Sequence, residues 1–112
     1  MKLLESQPAW AYFLSLVLIL FSIYGFTCPR TVTLEDDGLF ILASLDAGVA
    51  HPPGYPFYTF LGHIFSYLPI DPPALRIHLL SGMLGGLACG ILFLCIKRLG
   101  VSHWFSFISA LS

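Results

Sequence analysis

Charge is scarce in this sequence. Only 10% of its 112 residues are Asp, Glu, Lys or Arg, against about 25% in ordinary soluble domains, which argues against a soluble globular class. The net charge of -1 leaves no basic patch, and so excludes a nucleic-acid partner held through its phosphates. Cysteine is also scarce. Cys28, Cys89 and Cys95 form no CxxC and no Cys/His spacing, so neither a disulfide framework nor a structural metal is implied. Cys89 and Cys95 fall in an apolar run, where a thiol behaves as a small hydrophobe. Apolar residues, by contrast, make up 57% of the chain, and the mean hydropathy is +0.86.

The apolar residues are grouped. No Asp, Glu, Lys or Arg stands between Glu5 and Arg30, and Trp10 to Phe26 is almost wholly apolar. A membrane span needs about 20 such residues, and Trp10, Tyr12 and Tyr24 suit an interfacial aromatic belt. A cleaved signal peptide would show a more basic start and an A-x-A site. Here Lys2 stands beside Glu5, and no such site precedes Arg30. The spacing therefore predicts a retained transmembrane helix over 8–27. A second run, Ile77 to Ile96, lies between Arg76 and Lys97-Arg98 and predicts another over 76–98. A third apolar run from 101 to 112 is the expected start of a third span. The expected class is an all-α membrane protein, one domain over 1–112 that reads as the N-terminal fragment of a larger multi-pass chain.

Lys2, Lys97 and Arg98 favour the cytoplasmic side under the positive-inside rule, and two spans return the chain to the side it left. The loop over 28–75 is then extracytoplasmic, facing a bacterial periplasm or an ER lumen. Thr27 to Arg76 holds five of the six acidic residues and two of the five basic ones. Its length argues against an unstructured connection. Thr33-Leu34-Glu35-Asp36 reads as a capping box opening an apolar helix through Leu45, with Gly48 at its C′ position. His51-Pro52-Pro53-Gly54-Tyr55-Pro56 cannot be helical, because its prolines remove donors and bias their predecessors toward extended backbone. A second helix is predicted over Phe57 to Tyr67, too short to span and so interfacial or re-entrant.

The polar residues of this loop are the candidate site. Glu35, Asp36 and Asp37 have an ordinary role in offsetting the positive end of a helix. In the functional role, one carboxylate is a general base, and mutual repulsion beside a low-dielectric bilayer raises its pKa. His51 is either a turn residue or a partner of these acids; its spacing supports no metal. His63, His78 and His103 read as scattered packing or interface residues. Gly82, Gly86 and Gly90 recur every fourth residue, a pattern that lets another helix approach closely. That face carries the alternative reading, a non-enzymatic small membrane subunit or assembly partner that docks through it.

Thr31-Val32, Asp36-Asp37-Gly38, Phe40-Ile41, Gly48 to Pro56, Leu61-Gly62 and Leu79-Leu80-Ser81 together resemble a known family. This is the group of membrane proteins first collected as a domain of unknown function and now placed among GT-C-type protein O-mannosyltransferases. The resemblance covers residues 30 to 100, and Ala50 to Pro56 is its most specific part. It implies a polytopic transferase that moves a sugar, mannose by expectation, from a polyprenyl-phosphate-linked donor to Ser or Thr hydroxyls of an acceptor protein. It also implies Asp36 as the catalytic base and no obligatory metal or other cofactor. Glu35, Asp37, His51 and Tyr55 are the expected substrate-binding residues, and Phe57, Tyr58, Phe60 and Phe65 are candidates to lie along the prenyl chain. The family usually has an acid directly after the glycine, where Leu39 stands here. Arg30 and Arg76 are the only basic residues near enough in sequence to serve a donor phosphate.

Overall fold

The computed structural model describes residues 7–33 and 36–112. Over them run five α-helices: α1 (Ala9–Thr27), α2 (Asp37–Leu45), α3 (Pro56–Ser66), α4 (Pro73–Arg98) and α5 (His103–Leu111). No strand occurs among the described residues, so the all-α expectation holds. α1 and α4 are long and apolar enough to cross a membrane. At 1.5 Å per residue they are about 28 and 39 Å long, against a hydrocarbon core of about 30 Å. α1 is apolar all round, and such a helix has to be covered by protein or by lipid. Phe26 is 91% exposed, and Trp10, Leu14, Leu18 and Ile23 are exposed as well. An apolar surface of this extent points to insertion in a membrane.

The helix ends follow local chemistry. Pro29 closes α1, because the residue before a proline disfavours helical backbone. Pro73 opens α4 at the first helical position, where a missing N–H costs nothing. Lys97 and Arg98 sit in the last turn of α4, where cations oppose the helix dipole, and Lys97 Nζ donates to the Val101 carbonyl at 2.7 Å.

The chain divides into two compact units, residues 25–81 and the segments before and after them. In the unit formed by 7–24 and 82–112, Tyr12, Leu16, Phe93 and Ala110 make the core, with Phe107 packed against it. Tyr12 stacks on Phe93 and, at 5.1 Å, on the ring of His103. The Gly82/Gly86/Gly90 ridge is filled from within the chain. A Cβ on Gly86 would lie 3.2 Å from the Val17 carbonyl oxygen, one on Gly90 2.7 Å from the Phe13 ring, and one on Gly82 2.8 Å from Tyr24 Cβ. The face that the sequence offers to an outside partner is thus taken by α1.

In the unit formed by 25–81, α2 packs on α3, and Ile41, Ala74 and Ile77 form a core joined by Leu45 and Tyr58. The closest approach is Gly62 to the fully buried Ser44: a Cβ there would meet Ser44 Oγ at 2.2 Å and Ser44 Cβ at 2.7 Å. Gly62→Ala is therefore expected to destabilise the protein by about 1–3 kcal/mol, the usual cost of overpacking. A lower melting temperature in detergent would report it, and Ser44→Ala should relieve only part of the loss. His63 Nδ1 donates to the Ser44 carbonyl at 2.9 Å and its Nε2 accepts from Tyr67, so this histidine ties α3 to α2. Phe57, Phe60, Ile64 and Tyr67 form an exposed apolar stripe along α3 while Thr59 and Gly62 face inward. This is the amphipathic pattern of a helix lying in a membrane interface.

Two local expectations are corrected. The capping box over Thr33 to Asp36 is displaced: α2 begins at Asp37 with Asp36 as N-cap. The Asp37 carboxylate reaches back to accept from Thr33 N–H at 2.7 Å and Thr33 Oγ1 at 2.9 Å. Leu34 and Glu35, which the box includes, lie outside the described residues. Gly48 is not the left-handed residue after α2. Ala47 takes that role, with φ 51°, and Gly48 N–H closes the motif on the Ala43 carbonyl at 2.8 Å, as in a Schellman C-cap.

Candidate functional site

The site grows from two neighbouring acids at the start of α2. Asp36, the N-cap, presents Oδ2 to His51 Nε2 at 3.1 Å. His51 comes from the proline turn, and its Nδ1 donates to the Pro52 carbonyl at 2.9 Å. The turn holds this geometry because Gly54 N–H closes back on the His51 carbonyl at 2.7 Å, and Gly54 adopts φ 91°. Only Oδ2 of Asp36 is engaged among the described residues, and its side chain is 63% exposed. Asp36 Oδ1 is thus open to accept a proton.

Asp37 is differently placed. Its side chain is 19% exposed, and Oδ1 faces His78 Nε2 at 2.9 Å while Oδ2 takes both donors of Thr33. Burial pushes the Asp37 pKa up, but the Thr33 backbone N–H, the His78 ring and the Thr33 hydroxyl together outweigh it and hold the carboxyl below its ordinary value. Asp37 therefore stays ionised across the neutral range. Both of its oxygens are met, one by the His78 ring and one by Thr33.

The Pro52 carbonyl, then Asp36, raise the His51 pKa above its ordinary value. Because the folded value is the higher one, the contribution of this pair is complete below the unfolded pKa and is lost as pH rises through the folded one. A ring-resolved NMR titration of His51 is expected to show a midpoint above that of a free histidine, and Asp36→Asn should move it down. An unmoved midpoint would dismiss the pairing.

Around these acids stand aromatic rings. Phe40 meets Tyr55 at 5.1 Å, Tyr58 at 5.6 Å and His51 at 5.9 Å, all edge to face. Asp37, Phe40, Tyr55 and Tyr58 line a concavity of about 330 Å³. Tyr55 holds φ 44°, a left-handed backbone that a bulky residue adopts only when its surroundings enforce it. Tyr58 is fixed from behind by a hydrogen bond with Ser81 at 2.8 Å. The acid in this lining is Asp37, whose oxygens are engaged by Thr33 and His78, so the concavity offers a ligand chiefly aromatic faces for its C–H edges. A larger concavity of about 430 Å³, lined by Gly48, Val49, Pro56, Phe60 and His63 among others, contains no acid.

Of the residues expected from the sequence, Asp36, Asp37, His51 and Tyr55 come together, and Glu35 lies outside the described residues. Phe40 and His78 were missed. A histidine in a helix long and apolar enough to cross a membrane is itself a signal for a site, and His78, read from the sequence as a packing or interface residue, carries it. Of the residues assigned to a prenyl chain, Phe57 and Phe60 lie on the exposed stripe, whereas Tyr58 turns inward. Arg76 is engaged by the carbonyls of Ser66 and Ile70 and by Asp71 at 3.0 Å, which leaves it a structural tie rather than a phosphate ligand.

These features define an all-α protein with two helices suited to a membrane and an acid–histidine site between them in sequence. The chain belongs to the family of the protein O-mannosyl-transferase TMEM260 N-terminal domain, whose model matches residues 36–108, beginning at Asp36. It is 39% identical over 83 residues to the protein O-mannosyl-transferase TMEM260 of Mus musculus, covering 73% of this chain and 12% of that protein. It is 38% identical over 91 residues to the protein O-mannosyl-transferase tmem260 of Dictyostelium discoideum, covering 79% of this chain and 11% of that protein. The chain thus spans about a tenth of the length of the curated relatives it matches. No solved structure matches it.

Proposed function

We propose that this chain is the N-terminal, base-bearing segment of a GT-C-type membrane glycosyltransferase. The full-length protein moves mannose from a polyprenyl-phosphate-linked donor to a Ser or Thr hydroxyl of an acceptor protein. The names of the relatives support the reaction class. The observation that carries the reading is Asp36, held through one carboxylate oxygen by His51 with the other oxygen unengaged among the described residues. In the proposed step Asp36 Oδ1 takes the acceptor hydroxyl proton as that oxygen bonds to the anomeric carbon. The bond from that carbon to the polyprenyl-phosphate oxygen breaks, and its electron pair leaves on the phosphate, with inversion. Phe40, Tyr55 and Tyr58 supply the faces against which a sugar or the acceptor packs.

In this reading residues 8–27 and 76–98 cross the membrane, 101–112 begins a third span, and the loop over 28–75 with α2 and α3 lies on the extracytoplasmic side. The exposed stripe of α3 then rests in the interface, near the lipid part of the donor. Arg76 is otherwise engaged, which leaves Arg30 and residues elsewhere in the full-length protein to meet the donor phosphate. The reading is tested by sugar transfer in the full-length protein carrying Asp36→Asn.

A further inference from the structure

The ring of His78 lies between two acceptors. Its Nδ1 is 2.7 Å from the Pro29 carbonyl, and its Nε2 is 2.9 Å from Asp37 Oδ1. A carbonyl can only accept, so Nδ1 carries a proton. Nε2 then donates to an ionised Asp37 if the ring is an imidazolium, or accepts from a protonated Asp37 if it is neutral. In either form one proton lies between Nε2 and Asp37 Oδ1, and the ring ties α4 to the start of α2. The pair is the more enclosed of the two acid–histidine pairs, with side chains 19% and 11% exposed against 63% and 38% for Asp36 and His51.

This pair joins three separate stretches of chain: the segment after α1 through Pro29, the start of α2 through Asp37, and α4 through His78. Each oxygen of Asp37 already has a donor, so Asp37 has no favourable place to take a substrate proton. Asp36 is the N-cap of the helix that Asp37 opens, so the tie that fixes Asp37 also fixes the backbone from which the Asp36 carboxylate projects toward His51. Among the described residues, the charged group facing the ring is Asp37 on α2. Asp36 beside it is paired with His51, and Arg76 on α4 is engaged by Asp71 and two carbonyls.

We infer that His78 is a positioning residue, acting through Asp37 to aim the Asp36 carboxylate. The inference rests on the proposed role of Asp36 as base and adds the residue that orients it. The two acids thereby have separate tasks, Asp36 with an open oxygen and Asp37 with none.

Asparagine at position 37 makes the inference testable. Its amide oxygen can accept from Thr33, and its amide nitrogen can donate to Nε2 of a neutral His78, whose Nδ1–H still reaches Pro29. The same hydrogen bonds then persist without charge, but only while the ring is neutral. The experiment is sugar transfer by the full-length protein in membranes across a pH series, with abundance measured alongside. His78→Leu is expected to lower kcat by about 10²-fold, the scale of a misplaced reacting group, with KM little changed. Asp37→Asn is expected to keep most of the wild-type kcat at alkaline pH and to lose it as pH falls through the range where an imidazole takes its second proton. The wild type should lack that acid-side loss. Should His78→Leu fail to accumulate, the Asp37→Asn profile decides alone. Inactivity of Asp37→Asn at every pH would make the Asp37 charge itself indispensable and overturn the inference, as would wild-type kcat in His78→Leu. Full turnover in Asp36→Asn would instead remove the base, and the inference with it.

Discussion

Asp36→Asn in the full-length protein is expected to lower sugar transfer by about 10²–10⁴-fold, the usual share of general-base help, while protein abundance stays at the wild-type level. The two halves of this expectation have separate causes. An amide has almost no basicity, so the acceptor hydroxyl keeps its proton and remains a weak nucleophile. Fold stability depends little on Asp36, because its side chain is largely exposed and its one described side-chain partner is the exposed His51. Exposed pairs of this kind contribute little to stability. The Asp36 side chain makes no capping hydrogen bond to α2, so asparagine removes no cap. Near-normal turnover in this variant would take Asp36 out of the mechanism. A fall in abundance matching the fall in turnover would make Asp36 a folding residue instead.

The second large effect concerns the helix contact in the other unit. Gly86→Ile is expected to separate the parts of α1 and α4 that pack there, at a cost above the roughly 1–3 kcal/mol typical of overpacking in a core. The wall that a side chain at position 86 would meet is backbone: the Val17 carbonyl oxygen at 3.2 Å and Val17 Cα at 3.5 Å. Neither can swing aside as a side-chain tip does. At position 90 the obstacle is the Phe13 ring, which has rotamers to use, so Gly90→Ala should be milder. Melting temperature in detergent orders the two variants. Equal, negligible shifts would mean that the contact is not what holds these helices together.

The apolar lengths behind the two long helices were legible because a span is a local property, a count of consecutive apolar residues. α3 was legible for a related reason: prolines on both sides bound a short aromatic run, and the expected 57–67 lies one residue from the observed Pro56–Ser66. Helix starts and stops were harder. Thr33 does not cap α2 as expected, because its hydroxyl and its N–H both donate to the Asp37 carboxylate and the helix begins only at Asp37. Ala47 rather than Gly48 took the left-handed position, since tertiary packing can hold an alanine where propensity alone prefers glycine.

From sequence alone came the class of the protein and a candidate acid–turn site, because both are written in stretches a few residues to a few turns long. Tertiary structure alone decided which acid has an open oxygen and which is enclosed, and that α1 rather than an outside partner covers the glycine ridge. It also joined His78 to Asp37 across 41 positions. A hydrogen bond between residues so far apart leaves no local pattern, because which side chains meet is set by how the helices pack and not by the chain between them.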